Sequence, residues 1–298
     1  MRFLKGLAVG LFGFLLLVSL PVLGLAITVN STLLNPGFLK QEVKQIDIQS
    51  VAQGFLKDNI QPEMEPFLKN SDSLIADIKP WLYQQTDYVI DSGYRYLKGS
   101  SGELNLDIET ATIKPVVIDW VTKTYLSTLT ADQIKTLGIN QISDGIKQGI
   151  EQALPPSFKL NRDSLGEETM LALVSIQKAI GIWQTSFNWL CVLTALLIVL
   201  MVLVLRKIKD ILRWMGIIFL IPGVLGVPVY FLLLYLPKYL PLQGIPEAFN
   251  TWITQLSHDL VTPWGIYSAI LLMIGLAMLI PSFFIKKTSI KKTDGAFN

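Results

Sequence analysis

Four stretches of the chain contain no Asp, Glu, Lys, Arg or His: Leu7–Val29, Ala179–Leu205, Trp214–Pro237 and Leu260–Ile285. Each is longer than the roughly 20 residues with which a helix, rising about 1.5 Å per residue, crosses the hydrocarbon of a bilayer. An amide without a partner is costly in that medium, so a chain of this kind must close its backbone hydrogen bonds inside each segment, as a helix does. The sequence therefore predicts a mainly α membrane protein with four transmembrane helices.

Charge orients the four. Lys and Arg beside membrane helices stay on the cytoplasmic face, and the segment "RKIKDILR", 206–213, carries four of them between the second and third runs. With that loop inside, four alternating crossings put both termini inside too, among them Arg2, Lys5 and the tail lysines Lys286, Lys287, Lys291 and Lys292. The inner pieces then hold ten basic residues against Asp210 and Asp294, while 30–188 holds 14 against 19 acidic ones. The expected place is the cell membrane, multi-pass, with residues 30–188 outside.

The implied organisation is an N-terminal membrane segment, 1–29, an extracytoplasmic domain, 30–188, and a block of three membrane helices, 189–298, with a small outer loop at 237–260 and a basic tail. Segment 1–29 reads as an uncleaved anchor; its "GLA" ending after Pro21 also resembles a signal-peptide cleavage site, although the apolar run is longer than such peptides use. Cys191, the only cysteine, lies in the second membrane segment, so no disulfide braces the outer domain. A formal net charge of +2 gives no reason to expect a nucleic acid.

Within the outer domain the patterns are mostly helical. Asn35 can cap a helix whose first turn holds Pro36. Leu74, Ile78, Leu82, Val89, Ile90 and Leu97 follow helical spacing, with Pro80 kinking that helix or starting its regular part. Leu104, Leu106 and Ile108 alternate as on a strand, and Phe158 and Leu160 in "SFKLN" are the partner expected for a two-stranded ribbon. Between them, Val117, Trp120, Val121 and Tyr125 mark one helix. Thr130 with Gln133 forms a capping box for the next, whose Ile139, Ile142, Ile146 and Ile150 make a stripe expected in the core. Ser164 and Glu167 fit a further capping box, from which one helix runs without a proline toward Lys209, about 45 residues or nearly 70 Å long, as a stalk that couples outer domain and membrane.

Searching for chemistry yields little. His258 is the only histidine, with no second His or Cys to share a metal, so zinc is not expected. Asp259 adjoins it, but neighbours in sequence do not present a nucleophile, base and orienter in line, and neither a GxSxG elbow nor a phosphate loop occurs. Asp87 and Asp91 share a helix face and could bind a cation or act as acid and base, yet such pairs are more often solvated charges; Glu167 and Glu168 suit the positive end of a helix. The membrane segments lack the acidic or basic group that proton-coupled carriers keep. Trp183 and Trp189, Trp214, and Trp264 with Tyr267 read as interfacial belts. Pro222 and Pro228 mark a hinge or a filled kink in the third segment, and Phe249, Ile253 and Leu256, with Trp252 beside them, form a face that either lies on the membrane or caps the outer domain. No catalytic, cofactor-binding or metal residue is assigned.

With "TVNSTLLNPGF" after the first crossing and "YRYLKGSSGELNLDIE" in mid-domain, the chain resembles uncharacterised prokaryotic multi-pass membrane proteins that carry one large extracytoplasmic domain after the first transmembrane helix. The matching residues Asn35, Pro36, Tyr94, Tyr96, Leu97 and Gly99 look structural, and the resemblance brings no function with it. The layout is also similar to permease subunits of the FtsX and MacB kind, which transmit force from a cytoplasmic ATPase. It departs from them in the six residues before the first apolar run and in the short 206–213 loop, the places an ATPase would grip. Claudins and tetraspanins share the layout but have paired outer cysteines. The expectation is a non-enzymatic membrane protein, embedded in the lipid bilayer, whose residues 30–188 bind a protein partner, an envelope component or a ligand. The alternative is a permease-like subunit of an ATP-driven transport or mechanotransmission complex.

Overall fold

The computed structural model describes residues 2–51, 71–236 and 247–285. The tail lysines and the first part of the 237–260 loop lie outside the described residues. The elements in chain order are α1 (Arg2–Ser31), α2 (Pro36–Lys44), α3 (Ser71–Leu97), β1 (Leu106–Glu109), α4 (Lys114–Thr128), α5 (Ala131–Leu137), α6 (Ile139–Ala153), β2 (Ser157–Leu160), α7 (Arg162–Leu165), α8 (Glu167–Leu205), α9 (Ile208–Tyr235) and α10 (Glu247–Phe284). Among the described residues four helical stretches, Phe3–Ser31, Glu167–Leu205, Ile208–Tyr235 and Trp252–Phe284, are long and apolar enough to span a bilayer. This is a mainly α, multi-pass integral membrane protein with one two-stranded antiparallel ribbon.

The described residues divide into two compact units, one drawn from Met1–Val29, Thr185–Pro237 and His258–Asn298, the other from Asn30–Gln184 and Lys238–Ser257. The first is a helical bundle. Its core gathers Leu16 and Leu20 of α1, Leu197 and Met201 of α8, and Met215 and Ile218 of α9. With hydrocarbon outside, burying one more leucine brings little hydrophobic gain, so association depends on close contact and on hydrogen bonds. Both are present. A Cβ added at Gly223 on α9 would lie 2.5 Å from the Leu272 amide nitrogen of α10, and one at Gly275 would lie 2.7 Å from that of Leu220. The two backbones touch because neither glycine has a side chain.

Trp264 and Tyr267 correct an expectation. They are not part of a lipid-facing belt: Trp264 is 7% exposed and donates its indole N–H to the Gly226 carbonyl of α9 at 3.1 Å, while the Tyr267 hydroxyl donates to the Leu20 carbonyl of α1 at 2.8 Å. A buried ring with one polar atom needs an acceptor, and the facing backbone supplies it. Trp189 and Trp214, at 69% and 46% exposure, do face outward. Pro222 and Pro228 sit inside an unbroken α9, and Pro222 is buried among its neighbours.

The basic segment 206–213 is hardly a loop. α8 ends at Leu205 and α9 begins at Ile208, because Arg206 takes a left-handed conformation with φ 56° that reverses the chain within two residues. The last carbonyls of a helix lack intrahelical donors, and lysines serve two of these ends: Lys5 Nζ reaches the Leu205 carbonyl at 3.2 Å and Lys209 Nζ the Ile285 carbonyl at 2.7 Å.

In the second unit the short-range signals hold. Asn35 accepts a hydrogen bond from the Gly37 amide at 3.0 Å with Pro36 in the first turn of α2. Thr130 and Gln133 form the capping box of α5. β1 and β2 pair in the expected phase, Leu106 opposite Leu160 and Ile108 opposite Phe158. Pro80 lies inside α3, which is continuous. Two helices are shorter than expected, for one reason. Gly138, at φ 77°, splits the capping-box helix from the isoleucine helix, and Gly166, at φ 75°, separates α7 from α8. Consequently Ser164 is not the N-cap of the long helix: it is the third residue of α7, answering a capping box headed by Asn161. α8 is 39 residues long, about 58 Å at the usual helical rise. α6 packs on α4, but none of its residues is fully buried and Ile139 of the stripe is exposed.

Replacing Gly223 by leucine should separate α9 from α10 and lower stability by about 1–3 kcal/mol, seen as a lower thermal midpoint in detergent. The same change at Gly6, which has nothing within 4 Å of a new Cβ, should leave the midpoint nearly unmoved.

Candidate functional site

The residues on which sequence-based chemistry centred are brought together, but for fastening. Asp87 and Asp91 lie one turn apart on α3, and Lys44 and Lys40 lie one turn apart on α2. The pairs match in opposite order, Lys40 to Asp91 at 2.6 Å and Lys44 to Asp87 at 2.9 Å, which fits antiparallel helices. These carboxylates are neither merely solvated nor arranged around a cation. The side chains are a quarter to a half exposed, and a pair of that kind contributes at most about 1 kcal/mol.

Directional contacts add to the ladder. Three aromatic side chains donate to backbone carbonyls in or beside α2: Tyr94 to Leu33 at 2.6 Å, Tyr83 to Lys44 at 3.2 Å and Trp252 to Glu42 at 2.8 Å. Burial pushes the Tyr94 phenol above its ordinary pKa. Trp252 stands in the first turns of α10 yet belongs to the same unit as α2, so this end of α10 caps the domain built from residues 30–184. Sequence reasoning missed Glu42, which is only 2% exposed; no local pattern marks a glutamate that packing will enclose.

His258 has Asp259 Oδ1 at 3.0 Å and Thr262 Oγ1 at 3.5 Å, both from Nδ1. A nucleophile activated by histidine must face the ring nitrogen opposite the one its carboxylate holds. Here both neighbours share one nitrogen, and the Thr262 hydroxyl donates to the His258 carbonyl at 2.8 Å. Among the described residues no group of three or more His, Cys, Asp or Glu side chains is placed to hold a metal ion.

A concavity in the same unit offers another kind of site. The ribbon register sets Leu106 against Leu160, so the flanking Asn105 and Asn161 emerge side by side. Gln177 on α8 donates its side-chain amide to the Tyr96 carbonyl at 2.7 Å, tying α8 to the end of α3. Between these ties lies a cleft of about 780 Å³. Tyr96, Met170 and Val174 form its apolar wall, and Glu103, Asn105 and Glu167 its polar rim. Its lining has two carboxylates and no Lys or Arg. Such a lining can hold the donor groups of a ligand at the rim while an apolar part meets the wall. The "GSSGELN" turn gave a sequence signal for a loop at this place, but nothing local could show that it faces the start of α8.

No family model, no curated protein and no solved structure matches this chain.

Changing Trp252 to phenylalanine keeps the ring and removes the donor, leaving the Glu42 carbonyl to lose a hydrogen bond worth about 1 kcal/mol. Hydrogen exchange should then quicken by about fivefold at the amides of Leu39 to Lys44, with amides of α9 unchanged as the internal control.

Proposed function

We propose that the protein is a non-enzymatic membrane protein whose 30–188 region, displayed outside the cell membrane, binds a ligand or a segment of a partner in the cleft between α3 and α8. The observation that carries this reading is the cleft itself, whose volume lies in the range of about 300–1,000 Å³ usual for ligand sites and whose lining combines aliphatic surface with carboxylates and amides. The lining contains no Ser, Thr, Cys, His or Lys, so holding suits it better than nucleophilic chemistry. The charge bias across the four apolar runs supports the outward placement.

The test is isolation of the full chain in a mild detergent, with mass spectrometry of whatever stays bound. Val174→Trp should fill the cleft and reduce the bound species by about tenfold or more, the loss expected when a wall contact becomes a clash. An identical complement on Val174→Trp protein would end this reading.

The permease-like alternative draws on one observation. α8 forms part of the cleft wall and continues without a break to Leu205, so an event at the cleft acts on a helix that crosses the membrane. Cys191, the only cysteine and half-buried on that helix, reports on it. If α8 transmits, the ligand found above should change the rate at which a maleimide labels Cys191, and glycines at Lys178 and Ala179 should abolish the change while leaving ligand binding intact. Equal labelling in all four states would remove the transmission reading. Co-purification with an ATPase would favour the transport version of it.

A further inference from the structure

The turn between α8 and α9 holds more positive charge than the fold uses. Lys5 and Lys209 are engaged with helix-end carbonyls. Arg206, Lys207 and Arg213 are exposed and, among the described residues, make no hydrogen bond or ion pair through their side chains. Asp210, the one acid here, forms an ion pair with none of them. Unpaired cations around one helix reversal are the half of an ion pair that an anion completes.

The chemistry of that anion can be narrowed. α9, which starts at Ile208, has no side-chain cap from its N-cap Lys207, so its first-turn amides lack intrahelical partners beside Arg206 and Lys207. Guanidinium and ammonium groups with free amides suit a phosphate. Beside them Ile208 is 71% and Trp214 46% exposed, both in the first two turns of the membrane-spanning helix α9. A soluble phosphate has no use for those apolar side chains, whereas a lipid brings acyl chains to them. We propose that the α8–α9 turn binds the phosphate headgroup of an anionic membrane lipid, with Arg206, Lys207 and Arg213 as its ligands.

The test uses the full chain in detergent micelles under native mass spectrometry, titrated with dioleoyl phosphatidylglycerol, with dioleoyl phosphatidylcholine, and with inorganic phosphate. The expected result is one retained phosphatidylglycerol, bound at least about tenfold more tightly than phosphatidylcholine, given that each basic residue near an anionic surface contributes about a factor of five. Arg206→Gln, Lys207→Gln and Arg213→Gln combined should remove that preference. A chain with Lys147, Lys159 and Lys178 all changed to glutamine, which loses the same charge elsewhere, should keep it. Equal retention of the two lipids by the unaltered protein would overturn the proposal without requiring any variant to fold. So would competition by millimolar inorganic phosphate as effective as that by the lipid, or equal loss of preference in both triple variants.

Discussion

Side-chain donors that reach backbone carbonyls of distant segments fasten much of this structure, and some of those carbonyls take a backbone amide as well, as at Glu42 and Leu205. In the membrane bundle the donors are two lysines at helix ends and the polar atoms of Trp264 and Tyr267. In the other unit they are Tyr83, Tyr94, Trp252 and Gln177, with Trp81 reaching the Glu109 carbonyl at 2.7 Å. Each bond links segments distant in sequence. Because the acceptor is backbone, it specifies position along an element while leaving the acceptor's own side chain free to vary.

The two units apply this in different surroundings. Hydrophobic burial has little to contribute between helices already in hydrocarbon, so the bundle relies on backbone contact at Gly223 and Gly275 with the aromatic donors as pins. In the other unit Ile75, Ile90 and Tyr96 of α3 are buried apolar groups, and so is Ile113 just before α4. The helices of that unit are fastened at their flanks by the lysine–aspartate ladder and the aromatic donors. The cleft between α3 and α8 lies beside one such tie, from Gln177 to the Tyr96 carbonyl.

What could be seen in the sequence was what depends on neighbours along the chain. The four spans follow from uncharged length, the cap at Asn35 from the proline beside it, the cap at Thr130 from Gln133 three positions on, and the ribbon from alternation that lets Leu106 meet Leu160 and Ile108 meet Phe158. The departures share the opposite character. Trp264 and Tyr267 have the composition of a membrane belt, and only the approach of α1 and α9 turns them inward. Asp87 and Asp91 look like a free acidic pair until α2 supplies lysines at matching spacing. Gly138 and Gly166 are tolerated within helices as composition goes; their positive φ angles, set by where the following helix must point, break them instead. The cleft was invisible for the same reason, being assembled from the end of α3, a turn, the end of a strand and the start of α8.

The ribbon has a consequence for how this protein can change over generations. Because β1 and β2 run antiparallel with Glu109 opposite Ser157, everything from α4 to α6 departs from and returns to a single point, as a sleeve attached at its cuff. Lengthening, trimming or exchanging that excursion leaves the path of the remaining polypeptide unaltered. Divergence among descendants of this gene should therefore collect in those helices, while the stretches on either side of the cuff stay constant in length.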